Sequence, residues 1–239
     1  MNTSKYQLVL ARHGHTEWNL NNRFTGWSDV PLSKTGINES TQAGTQLAAE
    51  GYTFDEAHIS VLMRTRQALD AILKSADHPA IPVYTSWRLN ERHYGNLQGL
   101  NKQEIFDTWG QEQSYRWWRG YHDAPPSLES NDPRHPCFDD LYNMLDPTLL
   151  PDTESLAQCR ARLLPYWNET LLPRIQAGKR IIVVSHGNTL RGLRMYLENI
   201  NPADIEAIEI PLGAPFVYHF DADMNILKIE HLEYDHCSA

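Results

Sequence analysis

A chain of 239 residues that is 41% hydrophobic can bury the core of one large domain or two small ones, and its formal net charge of −9 excludes the broad basic field that duplex nucleic acid or an anionic membrane surface requires. No apolar run approaches the ~20 residues of a membrane span and no charged-then-apolar leader opens the sequence, so a cytoplasmic protein acting on small molecules is expected. Cys137, Cys159 and Cys237 are odd in number and far apart, which suits neither a disulfide framework nor paired zinc ligands; free thiols are expected.

The first element in chain order is Tyr6–Ala11, an apolar run that breaks into Arg12-His13-Gly14 and reads as a buried strand. "LSKTGINESTQAGTQLAAEGY" keeps helical spacing between a Ser33 cap and a Gly51 stop. "FDEAHIS" reads as a strand that delivers Ser60 as the cap of a helix, Val61–Leu73, with Arg64 in its first turn. A third strand is expected near Ile81–Tyr84, and "LNKQEIFDTWG" has a helical pattern. Gly110–Pro151, rich in proline and aromatics, reads as an inserted excursion that covers something rather than a core element. "TESLAQCRARLLPYWNETLLPRI" is helical with a kink expected at Pro165, and "IIVVSHGN" is the strongest buried-strand signal in the chain. A helix, Thr189–Glu198, should follow, and then strands Phe216–Phe220 and Ile226–Leu232 across "DADMN". Strands alternating with helices, without internal repeats, predict a single α/β domain over residues 1–239. Its expected form is a three-layer α/β/α sandwich around a mainly parallel sheet with an antiparallel edge strand.

Both "LVLARHG" and "IIVVSHG" place a His-Gly just past a strand end, and in open parallel sheets ligands sit outside the carboxyl ends of the strands. His13 and His186 are therefore expected to face one crevice. The glycines let backbone N–H groups approach an anion closely, and Arg12 brings a planar fork suited to phosphate oxygens, with Arg64 as a second. The combination predicts a phosphate pocket. Each residue alone has a plainer reading: a single histidine is more often structural, Arg64 a solvated helix charge and Glu91 a surface carboxylate. Glu91, however, stands in "RLNERHYGNLQGLNK", where acid, cations, tyrosine and glycines crowd one loop, and such loops carry chemistry.

The sequence resembles the histidine phosphatase superfamily and, within it, the cofactor-dependent phosphoglycerate mutases, from about Leu8 to Leu232. The carrying motifs are "RHG" at Arg12, "WNLNNRFTGWSDVPLSKTG" at Trp18, "SVLMR" at Ser60, "LNERHYGNLQGLNK" at Leu89, "YWNETLLPRI" at Tyr166 and "SHGNTLRGL" at Ser185. "RHG" alone points to the superfamily; "FTGW" and "NERHYGNLQGLNK" point to the mutases. The resemblance implies that His13 is the nucleophile that becomes a phosphohistidine. Arg12, Arg64 and His186 would clamp the transferring phosphoryl group with Asn19, and Glu91 would move protons to and from the substrate hydroxyl. Thr16, Thr25, Gly26, Gly187 and Asn188 would line the same pocket, and Arg92, Tyr94, Lys102 and Arg119 would hold the ligand's far end, its carboxylate and second phosphate. The implied reaction is interconversion of 3-phosphoglycerate and 2-phosphoglycerate, primed by 2,3-bisphosphoglycerate, in glycolysis and gluconeogenesis. No metal is implied: guanidinium groups and a protonated His186 are expected to supply the positive charge. Relatives of this kind are often dimers or tetramers, so the resemblance allows a homodimer or homotetramer.

Three departures bear on the implied activity. His15 stands where the family has a carboxylate, which should make the pocket more positive at lower pH. Trp118 in "RWWRG" stands where relatives have the first of two arginines, so weaker bisphosphate binding is expected. The tail that closes over the site in relatives is shorter here, which should admit water. Two other functions therefore stand beside the mutase: a phosphatase of small phosphoesters on the same scaffold, and a non-enzymatic anion-binding protein.

Overall fold

The apolar runs become six strands of one sheet in the computed structural model, which describes residues 4–232. The strands are β1 (Tyr6–Arg12), β2 (Glu56–Ile59), β3 (Val83–Thr85), β4 (Ile181–Ser185), β5 (Pro215–Phe220) and β6 (Ile226–His231), in the order β3-β2-β4-β1-β5-β6. The first four in that order run parallel; β5 is antiparallel to β1, and β6 to β5. The antiparallel part is the β5–β6 hairpin at one edge of the sheet, as the sequence predicts. Register matters more than order: Leu8 lies opposite Ile181 and Arg12 opposite Ser185, and the His13 amide donates to the Ser185 carbonyl at 3.1 Å. The two His-Gly pairs leave the sheet side by side.

Alternation along β1 and β4 divides the core into two. Leu8, Leu10, Ile181 and Val183 pack with Leu163, Trp167, Leu171, Leu190 and Leu193 on one face, while Val9, Ala11, Ile182 and Val184 pack with Leu47, Leu69 and Ile72 on the other. Burial on both faces explains the uninterrupted hydrophobic run of β4. Helices α1 (Glu17–Leu20), α2 (Lys34–Ala49) and α3 (Met63–Ser75) precede the long loop around Glu91. After it come α4 (Lys102–Trp109), α5 (Gln111–Arg119), α6 (Leu156–Tyr166), α7 (Leu172–Gln176) and α8 (Gly187–Leu197). No helix of the described residues is long and apolar enough to cross a membrane.

Several local expectations change. Ser33 caps α2, its hydroxyl accepting from the Gly36 amide, but α3 begins at Met63 behind Leu62 and Ser60 is not its cap. Pro165 lies inside α6, next to its end, and a π turn, Trp167–Leu171, follows and carries the chain into α7. Gly110, at φ 79°, separates α4 from α5, so the aromatic stretch opens as a helix that buries Trp117 against Phe24, Tyr94, Leu97 and Ile105. The rest of that stretch is irregular, with short 3₁₀ turns at Pro136–Phe138, Asp140–Tyr142 and Pro147–Leu149. The third strand begins at Val83, and α8 starts at Gly187, two residues before the expected Thr189. Cys159 is buried and Cys137 exposed, both free; Cys237 and the terminal tail, residues 233–239, lie outside the described residues.

The loop after β1 is fixed by a close approach of two glycines. A Cβ on Gly36 would stand 2.0 Å from the His15 carbonyl oxygen, and one on Gly14 would stand 2.3 Å from the Gly36 carbonyl oxygen. Only glycine at both positions lets the His13 loop rest on the start of α2.

Candidate active site

His13 is 4% exposed, and its Nδ1 lies 2.7 Å from the Gly14 carbonyl oxygen. A carbonyl only accepts, so Nδ1 carries the proton and Nε2 keeps its lone pair in the neutral ring. Burial, then the Arg64 and Arg12 guanidiniums, hold the ring well below the usual histidine range. At pH 7 this imidazole is uncharged and nucleophilic.

The two arginines are positioned by carbonyl oxygens. Arg64, on the first turn of α3, donates through Nη1 to Ser28 at 2.9 Å and through Nη2 to Gly26 at 2.7 Å. Arg12, at the end of β1, donates through Nη1 to Ile210 at 2.7 Å, while its buried Nε has no partner. A Cβ on Gly187 would lie 3.1 Å from the Arg12 guanidinium carbon, so glycine there leaves the fork its place.

His186 stands beside His13, ring centroids 5.0 Å apart and edge to face, but it does not line the cavity. Its Nδ1 accepts from Arg64 Nε at 3.2 Å, which leaves the proton on Nε2, 2.8 Å from the Ser60 hydroxyl. Burial, then Arg64 and His13, push it well below the usual range. The expected protonated His186 is therefore replaced by a neutral ring that orients Arg64, and Ser60 serves that ring rather than a helix cap.

Glu91 lies in the loop between β3 and α4, 8% exposed. Its Oε1 accepts from the Arg92 amide at 2.7 Å and from the Asn188 amide, at the start of α8, at 3.1 Å. The carboxylate thus occupies the N-terminus of α8, where unpaired N–H groups favour an anion. Arg162 of α6, buried and paired with Glu154 at 2.7 Å, donates to the Asn90 and Glu91 carbonyls from beneath at 3.2 and 3.1 Å.

One cavity of about 130 Å³ gathers most of the expected residues. Arg12, His13, Arg64 and Glu91 line it with Asn19, Thr25, Gly26, Gly187 and Asn188; Tyr94, Lys102 and Arg119 line it as well. Asn188 donates to the Tyr94 hydroxyl at 3.0 Å. Two expected lining residues face elsewhere. Thr16 caps α1 and exchanges hydrogen bonds with Asn19, so it positions Asn19 instead. Arg92 is fully buried and its Nη2 donates to the Trp117 and Trp118 carbonyls at 2.6 and 2.7 Å: it caps the end of α5, because a helix terminus leaves its last carbonyls unpaired. His15 also stays outside the cavity, with Nδ1 2.7 Å from Glu39, and reaches His13 only electrostatically, as the last of the influences on that ring.

Arg23, Arg191 and Glu209 line the cavity and escaped the sequence reading. Arg191 had a signal: it follows Asn188 by three residues, hence shares its helix face, and donates to the Asn188 side chain at 3.0 Å. Trp118 keeps its place on the wall, the Lys102 ammonium 4.9 Å from its ring centroid, so an aromatic face supports a cation where an arginine was expected.

Burial, then Arg12, bring the Lys102 ammonium down to about 8. It sheds its charge as pH rises through that value, so kcat/KM for a ligand with an anionic far end is expected to fall on the alkaline side. Lys102→Met should lower kcat/KM at pH 7 and remove that limb of the pH–rate profile. Identical profiles in the two proteins would contradict the assignment.

Comparison with known proteins places the chain. The family model described as histidine phosphatase superfamily (branch 1) matches residues 8–134 and 132–230. A mycobacterial glucosyl-3-phosphoglycerate phosphatase solved with VO3 is similar at 20% identity, with 96% of this chain and 98% of that one covered and a TM-score of 0.69. A putative α-ribazole-5′-P phosphatase from Escherichia coli matches at 18% identity over 98% of both chains, TM-score 0.69. An α-ribazole phosphatase from Shigella flexneri matches at 20% identity over 93% of this chain and 95% of its own, TM-score 0.65. These likenesses establish the fold, and the model match spans nearly the whole described sequence: the chain belongs to the histidine phosphatase superfamily, branch 1.

Proposed function

We propose that the protein is a 2,3-bisphosphoglycerate-primed isomerase that interconverts 3-phosphoglycerate and 2-phosphoglycerate through a phosphohistidine at His13. The observation that supports it most is a single cavity with two cationic sets: Arg12 and Arg64 beside the neutral His13, and Lys102, Arg119 and Arg191 beyond them. A monophosphate needs only the first set; a phosphorylated carboxylic acid or bisphosphate needs both. Arg12 Nε, Thr25 Oγ1 and Arg191 Nε, on residues that line that cavity, are buried polar atoms without a hydrogen-bond partner.

On this reading His13 Nε2 attacks the phosphorus in line with the departing oxygen. Arg12 and Arg64 stabilise charge spreading over the equatorial oxygens, and Glu91 passes a proton to the leaving oxygen and later takes one from the attacking hydroxyl. The fixed guanidiniums cost no reorganisation during transfer, because carbonyls already hold them.

A second reading is favoured by the comparisons. The three solved relatives described above are named phosphatases, which supports hydrolysis of a small phosphoester more directly than isomerisation. Both readings share the phosphoenzyme and differ in what accepts its phosphoryl group. Incubation with 3-phosphoglycerate, with and without 2,3-bisphosphoglycerate, decides between them. Primer-dependent 2-phosphoglycerate supports the isomerase. Released phosphate without isomer rejects it in favour of the phosphatase, and neither product leaves only anion binding.

A further inference from the structure

We propose that Glu209 is a specificity-determining residue: an internal carboxylate that competes with the ligand's far anionic group for Arg119 and so disfavours a second phosphate there. The proposal rests on the cavity being a phosphoester site, and not on what becomes of the phosphoryl group once bound.

Arg119 spends most of its donors on the backbone. Nη2 lies 2.7 Å from the Glu206 carbonyl and 3.0 Å from that of Ile208, and Nε lies 3.3 Å from Glu206. Glu209 is its ion-pair partner: Oε1 lies 2.8 Å from Nη2, whose two hydrogens are directed at the carbonyls, and Oε2 accepts from Nη1 at 3.5 Å. The one acidic side chain beside Arg119 thus sits where a ligand's anion would otherwise bind, on the wall of the same cavity.

The segment carrying Glu209 is tied down on both sides. The Ile205 carbonyl accepts from Arg191 Nη2 at 2.7 Å and the Ile210 carbonyl from Arg12 Nη1 at 2.7 Å. The loop therefore cannot withdraw without releasing two pocket arginines, and only rotation of the Glu209 side chain frees Arg119. That side chain is 73% exposed, so its ion pair is weakly held and an incoming anion can displace it. Once displaced, the carboxylate stays tethered nearby and repels the newcomer. Repulsion scales with the product of charges, so a phosphate dianion is penalised about twice as much as a carboxylate. Trp118, the neighbour of Arg119 on the wall, brings no charge to offset it. The geometry favours a phosphomonoester whose other end carries a single negative charge, and weakens without abolishing binding of the bisphosphate that would prime an isomerase.

The test is calorimetric titration of the full chain and of Glu209→Gln with orthophosphate, 3-phosphoglycerate and 2,3-bisphosphoglycerate, in parallel in wild-type and His13→Ala backgrounds so that turnover does not distort binding. The expected result is about tenfold or greater tightening for the bisphosphate, a smaller gain for 3-phosphoglycerate and less than a twofold change for orthophosphate, the differences shrinking as salt is raised. Glu209→Ala should move in the same direction. Unchanged or weaker bisphosphate binding in both variants overturns the proposal, as does equal tightening for orthophosphate, which would be a general charge effect. Failure of either protein to bind any of the three anions overturns the phosphoester reading along with it. Binding that shifts as expected while His13 takes no label sustains the role of Glu209 and removes only the phosphohistidine reading.

Discussion

Replacing His13 with alanine is expected to lower turnover of any phosphoester substrate by at least ~10³-fold and to abolish covalent labelling by a radiolabelled primer. The expectation follows from geometry: Nδ1 is committed to the Gly14 carbonyl, Nε2 is free, and burial with two guanidiniums keeps the ring neutral. A site that only bound anions would lose affinity and have no label to lose. The side chain's one hydrogen bond is to the next residue, so the variant should keep its fold, checked by near-native melting. Retained turnover, or a label elsewhere in the folded variant, would remove His13 from the chemistry.

Arg162→Ala carries the largest expected stability loss. The guanidinium is 8% exposed as a residue, pairs with Glu154, itself 3% exposed, and donates to the carbonyls of Trp87, Arg88, Asn90 and Glu91. Truncation leaves the buried Glu154 carboxylate without its counter-charge, holding the His93 amide, while the Trp87, Asn90 and Glu91 carbonyls each keep another donor; the unpaired charge sets a loss of about 3–5 kcal/mol. For a chain of this length that corresponds to a melting temperature lower by roughly 6–20 °C. The Glu154→Ala/Arg162→Ala pair should lose less than the sum of the single changes, because the uncompensated charge disappears. A loss below ~1 kcal/mol in the single variant would show that water or relaxation satisfies Glu154. Activity should fall too, since the same guanidinium holds the backbone of Glu91.

These two residues show how differently function is written in a chain. His13 is legible: an apolar strand ending in "RHG" announces itself, and "IIVVSHG" does so again 173 residues later by position. Arg162 sits in an unremarked helical run, and nothing near it in sequence says that its partners lie around Glu91. Arg92 is the converse, a cation beside the catalytic candidate whose side chain turns away to cap α5. Adjacency along a loop fixes where the backbone is, not which way a side chain leaves it.

Local signals determined the elements and marked the candidate nucleophile: hydrophobic period marked the strands, Ser33 the start of α2, and the His-Gly pairs the strand ends that border the cavity. Tertiary structure alone decided that β1 and β4 are neighbours, that His186 accepts from Arg64, and that Arg191 and Glu209 join the cavity wall. The reason is physical. Propensity and capping act over a few residues, whereas a guanidinium's direction is set by whichever carbonyls the folded chain brings within 3 Å of it, and those come from residues up to 198 positions away.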